Sequence, residues 1–334
     1  MSSIQLNKAV VLGSGSWGTG LAMILAEHFD NVHIIGRSED SANEINTLHT
    51  NKRYLPKITL PVNITCSTSY ADASDAELIL FVVPTSATRE ASKKLAEVGI
   101  KATTPLVSCA KGIERGTGER MSGIISESLP QNPIAVLSGP NHAEEVSAKL
   151  ATCTLIGCAD ATINSQLQKV FTTTYFRTYT TDDIAGMELG GALKNVFAIA
   201  AGIAAGIGLG DNAIAALVTR GLAEMTRLGV ELGGRADTFT GLSGMGDLMT
   251  TCYSPHSRNN RVGKALGQGK TLEQACDDLG MVAEGVPNTL SIYEAARKTD
   301  VETPIIDAVY NILYHNKSAL EALNELLTRN PKAE

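Results

Sequence analysis

Lys194 is the first residue whose surroundings ask for an explanation. It interrupts the stretch Gly190-Gly191-Ala192-Leu193-Lys194-Asn195-Val196-Phe197, with no acidic residue three or four positions away. A lysine there is costly to bury unless it meets a partner or a ligand. Burial also lowers its pKa toward neutrality, the range that suits a proton donor and acceptor. The plainer alternative is a side chain that snorkels out of its helix. A second polar cluster follows in Gly246-Asp247-Leu248-Met249-Thr250-Thr251. Asp247 can open a helix there, with Thr251 one turn on and on the same face. Ser257-Arg258-Asn259 then offers a hydroxyl, a guanidinium, an amide and free backbone N–H groups, a set suited to a phosphate. Taken singly, that trio also reads as a helix N-cap beside a surface arginine.

Near the start, the apolar run Ala9–Leu12 ends in Gly13-Ser14-Gly15-Ser16-Trp17-Gly18, and an amphipathic pattern follows. That is strand, tight turn and helix. Gly13 permits the turn, Gly15 lets a backbone approach a pyrophosphate, and Gly18 lets the helix pack on the strand. The phosphates would sit on the positive helix N-terminus. A lone glycine fingerprint is weak evidence, but a buried strand before it and a helix after it are the confirming context. After the second strand, Asn31–Arg37, an acidic residue would grip a ribose 2′-hydroxyl. Arg37 stands there instead, and a guanidinium pairs with a 2′-phosphate. NADPH is therefore the expected cofactor. Glu39 and Asp40 close behind keep NADH open, and an exposed loop cation is the alternative reading of Arg37.

These residues need a scaffold, and its outline is legible. The unbroken apolar run Leu78–Val83 reads as a parallel strand buried on both faces. Further strands are expected at 63–67, 105–109, 134–137, 152–158 and 175–179, with a helix over 161–171. In an open α/β sheet, ligands collect beyond the carboxyl ends of the strands. That placement puts Lys111 and the Gly139–Ala143 segment at the site, although a lysine at a strand end is as often simply solvated. Near Thr181 the period changes, and helical spacing runs almost to the end. The Ala- and Gly-rich run Val196–Leu209 reads as a buried helix, too short and interrupted for a membrane span. Further helices are expected at about 212–232, 247–252, 259–266, 289–298, 304–314 and 318–328. The fold class is thus α/β: a Rossmann-type, doubly wound, mainly parallel sheet over 1–181, followed by an all-α domain over 182–334. The helical domain is expected to close over the sheet edge and leave a cleft.

The 334 residues carry a net charge of −7, which argues against nucleic acid as the main ligand. Six scattered cysteines without a CxxC pair read as thiols in a reducing compartment. Residues 1–8 lack the apolar stretch of a leader, so the cytoplasm is expected. A homodimer is the default assembly. No histidine spacing suggests a metal, and neither GxSxG nor HExxH occurs.

Gly-Ser-Gly-Ser-Trp-Gly-Thr, Ala-Lys-Gly-Ile-Glu, Ser-Gly-Pro, Gly-Gly-Ala-Leu-Lys-Asn-Val, Gly-Asp-Leu-Met-Thr-Thr-Cys and Ser-Arg-Asn-Asn-Arg occur in this order. Together they resemble the bacterial NAD(P)-dependent glycerol-3-phosphate dehydrogenases, from the first strand to about Pro287. The resemblance implies interconversion of dihydroxyacetone phosphate and sn-glycerol 3-phosphate, with the product feeding glycerophospholipid synthesis. It implies Lys194 as general acid and base, with Lys111 and Asp247 framing the reacting carbon and Asn195 and Thr251 supporting them. Ser257, Arg258 and Asn259 would hold the substrate phosphate, with Gly139 and Asn141 near the substrate. Ser16, Trp17, Arg37, Tyr54, Lys111, Ala143, Arg258, Val282 and Glu284 would touch the cofactor, as would Gly13, Gly15 and Gly18. Asn141, His142 and Ser14 depart from the family's usual small hydroxyl residue, aromatic and alanine. Two other readings compete: a related dehydrogenase of β-hydroxy acids, which would not need the phosphate trio, and a non-catalytic NADPH sensor, which would bind without turnover.

Overall fold

The computed structural model describes residues 6–280 and 283–331. Val282, expected at the cofactor, lies outside the described residues. The chain divides into two compact units. One comprises Met1–Ala110 and Glu119–Glu188, the other Lys111–Gly118 and Leu189–Glu334. The division falls seven residues after the change of period near Thr181, because the first turn of a long helix still belongs with the sheet. Lys111–Gly118 joins the helical unit although only two residues separate it from a strand of the sheet, Leu106–Ser108.

Among the described residues, ten strands occupy the first unit: β1 Leu6–Leu12, β2 Phe29–Ile35, β3 Thr50–Asn51, β4 Leu55–Thr59, β5 Ile64–Ser67, β6 Leu78–Phe81, β7 Leu106–Ser108, β8 Ile134–Ser138, β9 Thr152–Cys158 and β10 Phe176–Thr181. Eight form one sheet in the order β10-β9-β8-β7-β6-β1-β2-β5. Every neighbouring pair is parallel except β8 and β9. β3 and β4 form a separate antiparallel hairpin, which apolar periodicity does not reveal because the segment is short, polar and broken by Pro56.

The sheet is covered on both faces, as the continuous apolar strands require. Ala9 and Val11 of β1 belong to one core cluster, with Leu21, Ile34 and Leu80. Val10 and Leu12 belong to another, with Ile79, Phe81 and Leu95. The chain leaves β1 toward β2 and β5 on one side, then returns to β6, β7 and β8 on the other. The switch of direction therefore lies between β1 and β6, the place where open α/β sheets take ligands. Gly13 sits at this point: a Cβ there would lie 2.4 Å from the carbonyl oxygen of Val82, just past β6.

The second unit is helical, and its main core includes Leu193, Val196, Phe197, Met225, Leu248 and Ile306, with a smaller cluster of Val262, Ala275 and Ala283 beside it. Its spine is the helix Ile184–Ile207, which starts earlier than the expected Val196. By length and hydropathy this helix could cross a membrane, a correction to the expectation that it is too short. It is 83% buried in protein over its most apolar window. Its glycines let another helix, Arg258–Gly267, approach backbone to backbone. A Cβ on Gly202 would lie 2.1 Å from the Asn260 carbonyl oxygen, and one on Gly263 would lie 2.1 Å from that of Ile199. Gly206 and Gly267 repeat the contact one turn further on.

Candidate active site

In the helical unit the polar residues converge. Lys194 is 6% exposed and Asp247 1%. Burial at this level demands partners, and the two supply each other. Lys194 Nζ donates to Asp247 Oδ1 at 2.7 Å and to Thr251 Oγ1 at 2.6 Å. Lys111 Nζ donates to the other carboxylate oxygen, Asp247 Oδ2, at 2.7 Å. One carboxylate thus holds two ammonium groups side by side, and the trio carries a net charge of +1. Asp247 opens the helix Asp247–Tyr253, directly after a π-helical turn over Leu242–Gly246. Thr251 lies one turn along, and its hydroxyl donates back to the Asp247 carbonyl at 2.6 Å.

The electrostatics follow from this packing. Burial pushes Lys194 down to about 8, with Lys111 acting in the same direction and Asp247 opposing both. Burial opposes ionisation of Asp247, but Lys111 and Lys194 outweigh it and hold the carboxyl below its usual range. Asp247 therefore stays ionised while Lys194 can gain and lose its proton near neutral pH. Two of the three hydrogens on the Lys194 ammonium are used by Asp247 and Thr251, which leaves one. The neighbouring Cys252 thiol is pushed up to about 12 by burial, so it does not compete as a nucleophile.

A second layer of buried amides fixes the segments that carry the lysines. Asn195 Nδ2 donates to the Lys111 carbonyl at 3.0 Å, and Asn259 Nδ2 donates to Asn195 Oδ1 at 2.9 Å. Asn259 Oδ1 accepts the Gly285 N–H at 3.0 Å, next to Glu284. Asn259 thereby commits its oxygen and one of its hydrogens to the fold, and one N–H is left for a ligand. Asn288 escapes the sequence reading. Its Oδ1 accepts the Ile113 N–H at 3.2 Å and its Nδ2 donates to the Ala192 carbonyl at 2.8 Å. It thus joins backbone two residues beyond Lys111 to backbone two residues before Lys194. Ser257 caps the helix Arg258–Gly267 by accepting the Asn260 N–H at 3.2 Å, while Arg258 is exposed.

In the sheet unit the glycine-rich turn behaves in two ways. Gly13 has φ of +117°, and a Cβ on Gly18 would lie 2.0 Å from the Gly13 carbonyl oxygen, so protein packing accounts for both glycines. Gly15 is different. Its φ is −71° and a Cβ there would meet nothing within 4 Å. Neither backbone nor packing requires glycine at position 15, and the space a side chain would fill lies open. Gly15 also precedes the helix Ser16–Leu25, whose N-terminus has no side-chain cap and no acidic residue in its first turn. That combination fits an anion approaching backbone N–H groups, so the residues present fit a dinucleotide. Trp17 and Tyr54 are half-buried nearby in sequence and hairpin. Arg37 is exposed at the end of β2. Glu39 accepts a hydrogen bond from Thr68 Oγ1, so its carboxylate is engaged on β5's side.

The residues expected beyond β8 are more occupied with the fold. Gly139 has φ of +150°, and a Cβ would press on Thr154 Cα at 3.2 Å. Asn141 donates to the Cys153 carbonyl at 3.3 Å and accepts from Thr154 Oγ1 at 3.1 Å. Its carboxamide thus ties the turn to β9. Ala143 is buried at the start of a short helix, Ala143–Ser147.

Comparison with known proteins agrees with this arrangement at both ends of the chain. Residues 8–164 match the model of the NAD-dependent glycerol-3-phosphate dehydrogenase N-terminus, and residues 183–324 match that of its C-terminus. A glycerol-3-phosphate dehydrogenase (NAD(P)+) of Bacillus cytotoxicus is 48% identical over 333 residues, covering 98% of this chain and 97% of that protein. The crystal structure of glycerol-3-phosphate dehydrogenase from Coxiella burnetii matches with a TM-score of 0.93 at 37% identity, over 97% of this chain and 99% of that one. A glycerol-3-phosphate dehydrogenase structure from Saccharomyces cerevisiae matches with a TM-score of 0.84 at 29% identity, over 96% and 99%. With the glycine turn at the sheet's switch point and two lysines sharing one buried aspartate, the chain belongs to the NAD-dependent glycerol-3-phosphate dehydrogenase family.

Proposed function

We propose that the protein reduces dihydroxyacetone phosphate to sn-glycerol 3-phosphate, reversibly, with Lys194 as the proton donor. The observation that carries this reading is the sharing of Asp247 by Lys111 and Lys194, both at 2.7 Å. When bound, the reduced nicotinamide cofactor supplies the hydride that the ketone carbon takes up. Lys194 gives a proton from Nζ to the carbinol oxygen as negative charge develops there, and becomes neutral in doing so. Its lowered affinity for that proton makes the transfer workable near neutral pH. Lys111 keeps a positive charge beside the developing oxyanion, a fixed stabilisation that needs no reorganisation during reaction. Asp247 holds both lysines in place and remains ionised throughout. In the reverse direction neutral Lys194 takes the proton back.

Ser257, Arg258 and the remaining Asn259 N–H would hold the substrate phosphate, away from the reacting carbon. Binding energy from such a remote group orients the carbonyl. Gly13, Gly15, Ser16, Trp17 and Gly18 would hold the cofactor, with Tyr54, Ala143 and Glu284 as further contacts. Arg37 makes NADPH the preferred form: among the described residues no carboxylate pairs with it, so its guanidinium is available to a 2′-phosphate. NADH is accepted in second place. On the same reading the enzyme works in the cytoplasm as a homodimer, and its product serves glycerophospholipid synthesis. All six cysteines are free thiols, in keeping with a reducing compartment.

The test is NADPH oxidation with dihydroxyacetone phosphate beside unphosphorylated dihydroxyacetone. Turnover confined to the phosphorylated ketone is expected. Equal turnover of both would remove the phosphate site, and cofactor binding without turnover of either would favour a non-catalytic sensor.

A further inference from the structure

The glycine-rich turn is held from outside by a hairpin that the main sheet does not use. Asn51 of β3 is 2% exposed. Its single side-chain nitrogen spends both hydrogens on the turn: one on the Ser14 carbonyl at 2.9 Å, the other on Thr19 Oγ1 at 2.9 Å. Three residues on, the Tyr54 carbonyl accepts from Ser16 Oγ at 3.3 Å. The hairpin therefore grips both sides of Gly15. In a planar trans peptide the C=O and N–H point in opposite directions. Holding the Ser14 carbonyl toward Asn51 therefore aims the Gly15 N–H away from Asn51. Gly15 is also the one glycine of the three where a Cβ would meet open space.

Resting on the dinucleotide reading of this turn, we infer that Asn51 is a positioning residue for the cofactor. Its carboxamide presets the Ser14–Gly15 peptide so that the turn's N–H groups are already aligned for a diphosphate. Only a primary amide of this length meets both acceptors from one atom. An aspartate keeps the shape but offers no hydrogen to either. Without Asn51, the Ser14 carbonyl keeps only the long 3.5 Å bond from Thr19 Oγ1, so binding would have to order a more loosely held peptide, and affinity for the cofactor falls. The transfer of hydride and proton involves none of these groups, so the rate at saturating cofactor is spared.

Fluorescence titration with NADPH on the purified full chain tests this, comparing wild type with Asn51→Ala and with Thr19→Val, a shape-conserving change. The expected result is a Kd raised about tenfold in Asn51→Ala, from the loss of both Asn51 hydrogen bonds, and about threefold in Thr19→Val, which removes the acceptor of one of them together with the long 3.5 Å bond from Thr19 Oγ1 to the Ser14 carbonyl. At saturating NADPH, kcat should stay within about twofold of wild type, with KM for dihydroxyacetone phosphate unchanged. A wild-type Kd in folded Asn51→Ala overturns the proposal, as does a kcat that falls as far as the affinity. Should Asn51→Ala fail to fold, the near-isosteric Asn51→Leu, which offers neither hydrogen, takes its place, and a wild-type Kd there overturns the proposal equally. If the wild-type chain binds neither NADPH nor NADH, the dinucleotide reading fails and takes the proposal with it.

Discussion

Lys194 is a buried cation whose cost is met by one carboxylate and one hydroxyl. The arrangement leaves its proton loosely enough held to move near neutrality. That has a signed consequence for rate. Ketone reduction needs the ammonium form, so kcat/KM for dihydroxyacetone phosphate should fall as the pH rises through about 8. Oxidation of glycerol 3-phosphate needs the neutral amine and should rise through the same range. Steady-state profiles in both directions between pH 6 and pH 10 would read this. A reduction profile that climbs across that interval would assign the limb to another group. Asp247 contributes no limb there, because the two lysines hold it ionised.

Helices enter the account as carriers that fix distances between side chains. The helix bearing Lys194 and the helix opened by Ser257-Arg258-Asn259 touch through paired glycines, Gly202 and Gly206 against Gly263 and Gly267. Gly202→Ala would drive a Cβ into backbone, which cannot yield as a flexible side chain can. Destabilisation of about 2–3 kcal/mol is expected, together with a raised KM for the ketone phosphate as the trio moves from the lysines. Calorimetry and steady-state kinetics would check the two effects, and a fully active protein of unchanged Tm would contradict the packing. Another carrier, the helix Pro304–Tyr314, lacks a side-chain cap from its own Thr303. Glu224 serves instead, accepting the N–H groups of Ile305 at 3.1 Å and Ile306 at 2.9 Å. Burial pushes its carboxyl up to about 7 against those two bonds and Arg227. A carboxyl raised above its unfolded value near 4.3 contributes stability at acid pH that is lost as the pH rises through about 7. The Tm of wild type relative to Glu224→Gln should therefore decline between pH 5 and pH 8. A difference that stays constant, or that grows with pH, would show that Glu224 is not raised.

At the scale of the whole molecule, what the sequence discloses depends on how local the cause is. The glycine turn, the buried strands and Lys194 announce themselves through their neighbours, because a strand's period and a lone charge in an apolar run are local facts. Asp247 and Thr251 are legible as one helix face, but that Asp247 bridges two lysines is not: Lys111 lies 136 positions away and Lys194 53. Asn51 and Asn288 look like ordinary polar residues because their partners lie 32 to 175 positions away. Lys111 reads as a strand-end residue, yet its segment packs with the helical unit, held by Ile113 in the core and by the amides of Asn195 and Asn288. The cofactor turn and the lysine pair thus belong to separate compact units, and binding and chemistry should be separable by mutation. Lys194→Ala, assayed both for NADPH affinity and for turnover of dihydroxyacetone phosphate, tests this most directly. A Kd within about twofold of wild type and a kcat reduced by about two orders of magnitude or more are expected. A near-normal kcat in that variant would contradict the central role given to Lys194.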